Sequence, residues 1–326
     1  MITTYIIGLL CVSFATIIEA VIPVIFQESN LELFSYLFLL SFVCILLSII
    51  HIYIFKNNFD DMFKVIHNRI SDINIVYYGF LRYIRYLLYT YGALYIETGI
   101  YNTLLVSQLL YLTFTDPKDS YISYDTPKIV SFFILTIATI VLIYDAIMNS
   151  KKKFNINYII AIFAVIISLV LDVKSADGIA NIIDNPYEDV FLSSVVMFII
   201  SLIVILVRMF VFNKNFGIST FNHLIYIIIV PIILMGYLPL ILDYATYDFL
   251  PILVILIFLG IQIVFGFLLD KFYYKEIFTN TKRCGMLLLF GGIAYLIYTY
   301  YIEHLTHKNI TNHNNSIKLN IIKKNN

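Results

Sequence analysis

Two arginines stand three residues apart inside the apolar stretch "GFLRYIRYLLYTY", at positions Arg82 and Arg85. Ionisable groups inside a lipid-facing stretch are costly, so they face a cavity or a charge partner. Spacing of i, i+3 puts both guanidinium groups on one helix face. A planar guanidinium fork suits bidentate recognition of a carboxylate or phosphate. Tyr86 and Tyr89 share that arc, because positions 82, 85, 86 and 89 follow the helical repeat. The four residues together suit an anionic ligand carrying a ring or sugar face. They also suit a structural role, with Arg82 reaching toward an interface, Arg85 paired with Glu19 or the end of another span, and the tyrosines packed between helices.

Glu19, in the first apolar stretch, can take up and release a proton when buried, or can serve as the charge partner of Arg85. Asn102, Gln108 and Gln262 are neutral hydrogen-bonding groups in apolar surroundings. Such amides read the polarity of a substrate or hold helices together, at roughly 1 kcal/mol each. Arg82, Arg85, Tyr86, Tyr89, Asn102, Gln108 and Gln262 are therefore the candidate substrate-binding set, with Glu19 as a coupling group or charge partner. No catalytic constellation, metal site or cofactor site is expected. Cys11, Cys44 and Cys284 form no CxxC, and the six histidines are scattered.

Apolar stretches of about 20 residues, the length a helix needs to cross a hydrocarbon core of about 30 Å, position these groups. Ten can be drawn: Tyr5–Gln27, Leu33–Phe55, Asn74–Ile96, Ile100–Phe114, Ile129–Ser150, Ile156–Asp172, Val190–Phe212, Phe221–Leu242, Leu250–Leu269 and Gly285–Tyr301. With 61% hydrophobic and 13% charged residues and a mean hydropathy of +0.89, a soluble domain would leave too much apolar surface in water. Twenty-one basic residues balance twenty-one acidic ones, so no footprint for nucleic acid is visible. The first stretch has no basic residue before it and no cleavage-like end. It reads as a transmembrane helix rather than a signal peptide. Basic residues divide nearly evenly between the two sides, so charge bias does not set the orientation.

The expected fold class is an all-α polytopic membrane protein. Its ten transmembrane helices form two inverted five-helix repeats, residues 1–150 and 151–303, followed by a disordered polar tail at 304–326. The break falls at the basic connector "KKKFN", and an odd number of spans per repeat forces the second repeat to invert. Lys128 and Lys282 each precede a terminal span, and the same offset aligns Gln108 with Gln262.

The segment "KEIFTNTKRCGMLLLFGGIAYLIY" carries Glu276, Gly285 and the pair Gly291 and Gly292 at the mouth and centre of the last span. In the first half, "GFLRYIRYLLYTYGALYIETGIYNTLLVSQLLYLTF" leads an arginine-bearing helix through a tight turn into a small-residue and polar one. These features resemble the drug/metabolite transporter superfamily, in its ten-span EamA-like group. The first repeat lacks the corresponding glutamate and glycines, with Tyr124, Lys128 and Ala138 nearby instead. The resemblance implies an alternating-access carrier with both termini cytoplasmic.

A secondary transporter of a small polar or amphipathic metabolite is therefore the leading expectation, with membrane lipid as the second partner. The main alternative is a non-transporting receptor or scaffold derived from a carrier. A membrane-embedded lipid-modifying enzyme ranks behind it, because "YIEHLTH" is no HExxH and "DNPYED" lacks partner acids.

Overall fold

The computed structural model describes residues 2–29, 32–56, 72–104, 126–149, 156–180, 186–214 and 252–299, with residues 64 and 69. Among them the chain forms nine helices: α1 (Ile2–Ser29), α2 (Leu33–Lys56), α3 (Ile73–Tyr95), α4 (98–104), α5 (Thr126–Asn149), α6 (Ile156–Ala180), α7 (Pro186–Val211), α8 (Ile252–Phe272) and α9 (280–299).

Local chemistry sets the helix ends. Asp72 caps α3 by accepting the Asn74 N–H at 2.9 Å. Pro186 opens α7, where its missing N–H costs nothing, and Glu188 and Asp189 in the first turn complement the helix dipole. Asn213 and Lys275 take left-handed backbone just past α7 and α8, with φ of 51° and 52°. The amides that follow them return to Arg208 and Asp270 carbonyls at 3.1 and 3.0 Å, closing both helices.

The bundle turns apolar side chains outward and small polar ones inward. Ile6, Leu10, Phe14 and Ile17 are exposed along one face of α1, and Ile199, Ile203, Leu206 and Phe210 along α7. Ser41, Ser48, Thr90, Ser168, Ser193 and Ser201 are buried. Water would penalise that arrangement, whereas lipid does not, and small residues inside let helices approach closely. Buried apolar side chains form two main groups. One joins α1, α2, α3, α4, α6 and α7, with Ala146 from the last turns of α5. The other joins Leu135, Ala138 and Leu142 of α5 to Ile263 and Phe267 of α8 and to Leu289, Ile293 and Leu296 of α9.

Two antiparallel pairings frame the centre. Helix α3 lies against α6 with Tyr78 over Gly178, Arg85 against Asp172, and Gly92 against Val165. A Cβ at Gly92 would collide with a Val165 methyl, so only glycine permits this approach. Helix α2 runs along α7, with Phe38 and Phe42 both against Phe198 and with Glu32, just before α2, paired to Arg208.

The ten-span, two-repeat architecture expected from the sequence is corrected here. Among the described residues, four helices are long and apolar enough to cross a membrane: Ile6–Glu28, Leu33–Ile50, Ile129–Asn149 and Glu188–Val211. The apolar run in α6, Ile156–Asp172, is shorter. Helix α3 spends its length on two arginines and seven tyrosines. Two of the stretches drawn, Ile100–Phe114 and Ile156–Asp172, have only 15 and 17 residues, and hydropathy does not register that α3 is held by a polar centre. The segment 221–242 and the tail from 304 lie outside the described residues.

Candidate functional site

Helix α3 brings its polar arc to the middle of the bundle, and each arginine meets its own aspartate. Arg82 donates from Nη1 and Nη2 to the two carboxylate oxygens of Asp189 on α7, both at 2.7 Å. Nη1 also reaches Ser193 Oγ at 2.9 Å, and Ser193 in turn donates to Asp189 at 2.9 Å. Side-chain exposures of 5% and 3% put this pair inside the protein. The fork is thus satisfied by the chain itself.

One turn on, Arg85 pairs with Asp172 of α6 at 3.0 Å, and here the side chains keep 16% and 22% exposure. Its guanidinium lies over the rings of Tyr86 and Tyr89, 4.7 and 5.5 Å from their centroids. A weakly hydrated guanidinium gains from such faces when water is scarce. Tyr89 meets Tyr101 of α4 edge-on, with centroids 5.2 Å apart. A small cavity beside Arg82 and Tyr86 is closed by Leu40, Cys44, Ser193 and Met197.

Glu19 is half-buried on α1. Arg85, Asp172 and the Gln262 amide on α8 are within electrostatic reach of it. Gln262 Nε2 donates to Asn102 Oδ1 at 3.1 Å, while Asn102 Nδ2 approaches the Ala20 carbonyl at 3.4 Å. Gln262 and Asn102 are 1% and 0% exposed. Arg82, Arg85, Tyr86, Tyr89, Asn102, Gln262 and Glu19 therefore line one polar seam through α1, α3, α4 and α8. Gln108 lies outside the described residues.

Sequence reasoning missed the two aspartates. Asp172 ended a span in the sequence reading, and Asp189 sat inside a turn-like "DNPYED". The available signal was charge balance: two arginines in an apolar helix call for acids, and these lie in the first turn of α7 and about two turns before the end of α6.

A second polar cluster sits at the other end of α8. Asp270, fully buried, accepts the Thr98 and Gly99 N–H groups at 3.1 and 2.7 Å, capping α4. Lys282, 4% exposed, donates to Glu276 at 2.6 Å. A cavity of about 50 Å³ there is lined by Glu97, Asp145, Asn149, Glu276 and Lys282. Burial, with Glu276 nearby, pushes the Asp270 carboxyl up to about 7, against the opposing pull of Lys282 and the Gly99 N–H. Near the end of its apolar stretch, Asp270 thus serves as a helix cap.

A polytopic, largely helical protein with several apolar helices of membrane length is the class this fold and site define. Its exposed apolar faces are consistent with lipid contact and a membrane-embedded role. No protein-family model matches the chain, and no curated protein matches it. The expected membership of the drug/metabolite transporter superfamily is thereby corrected, together with the ten-span architecture that went with it. The residues that carried the resemblance have local explanations. Glu276 holds Lys282, while Gly285 and Gly292 fit α9 against Leu142 and Leu135 of α5, where a Cβ would come within 2.8 Å of each.

Proposed function

We propose that the protein moves a small polar or amphipathic solute across a membrane, with Arg85 at the solute site. The observation that carries this reading is the contrast between the two arginines. Arg82 is sealed against Asp189, whereas Arg85 and Asp172 keep part of their surface open beside two tyrosine faces. An anionic group on the solute would compete with Asp172 for the Arg85 fork, and its apolar or ring portion would take the Tyr86 and Tyr89 faces. The two apolar groups of the bundle, which share α5 and meet where α4 lies on α8, are the parts that would shift to open the site to either side. No catalytic chemistry enters this reading.

A non-transporting scaffold is the second reading, and the fully satisfied Arg82–Asp189 pair favours it. A ligand-stability screen separates the two, on purified wild type and an Arg85→Ala variant, with Arg85→Lys as a charge-preserving control. Panels of amino acids, sugar phosphates, nucleotide sugars and cationic drugs would be compared, since a ligand of the native state raises apparent stability. A concentration-dependent shift from one class, lost in Arg85→Ala, supports transport. Well-folded protein that responds to none supports the scaffold.

A further inference from the structure

We infer that the solute is a zwitterion, an α-amino acid with an apolar side chain, whose carboxylate engages Arg85 and whose ammonium engages Asp172.

The inference deepens the transport reading and rests on the solute site named there. Arg85 of α3 and Asp172 of α6 pair at 3.0 Å, and their side chains keep 16% and 22% of their surface. Arg82, one turn back, shows how a purely structural pair is built in the same helix. It makes two bonds of 2.7 Å to Asp189, and both side chains are sealed. An accessible ion pair among apolar helices offers a ligand two unlike charges, one on each of two helices.

Charge balance selects the ligand. A monoanion on the Arg85 fork strips Asp172 of its arginine and leaves a carboxylate in poorly hydrated surroundings. A simple cation on Asp172 strips Arg85 in the same way. Removing one partner from such a pair is far more costly than replacing both. A zwitterion replaces both, because its carboxylate accepts from the guanidinium and its ammonium donates to Asp172. Glu19 weighs further against a simple anion, which would meet two acids and one arginine here.

The same seam is short of a donor. Gln262 Oε1 is buried with no hydrogen-bond donor, and Gln262 is within electrostatic reach of Glu19. A primary ammonium carries three N–H groups, enough for Asp172 and a neighbouring acceptor. A quaternary ammonium carries none, which favours an amino acid over a betaine. The Tyr86 and Tyr89 rings, 4.7 and 5.5 Å from the Arg85 guanidinium, help to hold it in place when Asp172 turns to the ammonium. With Tyr101 edge-on to Tyr89, they form an aromatic wall that suits an apolar side chain.

The test uses full-length protein in lipid nanodiscs and two sets of matched probes. Phenylalanine is compared with hydrocinnamate, which lacks the amine, and with phenethylamine, which lacks the carboxylate. Leucine, isocaproate and isoamylamine repeat the series with a smaller side chain. Thermal midpoints over a concentration series rank the affinities. One of the two amino acids should raise the midpoint, with each of its halves binding at least about tenfold more weakly. In Asp172→Asn the preference should move to the carboxylate alone, and in Arg85→Gln to the amine alone. A merely structural pair would weaken all three probes together. The wild-type ranking decides the question by itself should either variant not fold. A half that binds wild type as tightly as its amino acid overturns the inference, and so does a ranking that neither variant changes. A sugar phosphate or nucleotide sugar whose shift is lost in Arg85→Ala keeps the solute site and removes the zwitterion. An amino acid that binds as expected but is not taken up by proteoliposomes keeps the zwitterion site and removes transport. No response to these probes or to the broader panel removes both.

Discussion

Arg82 and Asp189 face each other through two parallel N–H···O bonds of 2.7 Å, joining the middle of α3 to the first turn of α7. Removing one partner leaves the other charged and buried, at about 3–5 kcal/mol. Arg82→Ala and Asp189→Ala should therefore each lower the thermal midpoint in detergent severely. Replacing both with apolar residues of similar volume, as in Arg82→Met with Asp189→Leu, should recover most of the loss. A double variant as unstable as the single ones would show that the pair does more than balance charge.

Gly92 sets the spacing between α3 and α6. Gly92→Ala should destabilise by about 1–3 kcal/mol, as overpacking of a close contact does. The methyl it would strike belongs to Val165, so Val165→Ala should restore most of the stability in the double variant. Denaturation of the four proteins reads the coupling directly.

Asp270 makes stability depend on pH. Its carboxyl in the last turn of α8 is pushed up to about 7, against about 3.9 in an unfolded chain. Between those values the native state binds more protons than the unfolded one, so this group's contribution to stability falls as pH rises from about 4 to about 7. Asp270→Asn should flatten the thermal-midpoint profile over that range. Asp270→Ala should also leave the Thr98 and Gly99 N–H groups uncapped, costing about 0.5–2 kcal/mol at any pH.

The Arg208–Glu32 pair, between the end of α7 and the residue before α2, offers a contrast. Both side chains are partly exposed, at 22% and 31%, and the Arg208 guanidinium also lies over Phe34, 4.6 Å from its centroid. Exposed pairs contribute about 0–1 kcal/mol. Glu32→Gln should change the thermal midpoint only slightly, and less at high salt than at low. A loss comparable to that of Arg82→Ala would mean that this end of the bundle is held as tightly as the centre.

The long helices were legible because continuous apolar runs announce them whatever they pack against. The polar seam was legible in part: Arg82, Arg85, Tyr86 and Tyr89 share an arc by spacing alone, and α3 presents that arc to α6 and α7. Pairing was not legible, because Asp172 and Asp189 lie 87 and 107 residues from their arginines in the sequence. Nothing local in "DNPYED" distinguishes a buried acid from a solvated one. The number of spans failed for a related reason. Hydropathy measures the preference of each stretch for lipid, whereas α3 and α6 hold their place through each other. The apparent family motif in α9 failed because glycines in an apolar helix arise wherever two helices come close.

The short break between α3 and α4 is gripped from both sides. Gln27 Nε2 donates to the Ala93 and Ile96 carbonyls, each at 2.8 Å, while the Asp270 carboxylate takes the first two amides of α4. The two grips are chemically unlike: an amide keeps its donors at every pH, whereas a carboxylate surrenders acceptor strength when it gains a proton. Any pH response of this elbow therefore enters through the α8 jaw alone, and the α1 jaw is blind to it.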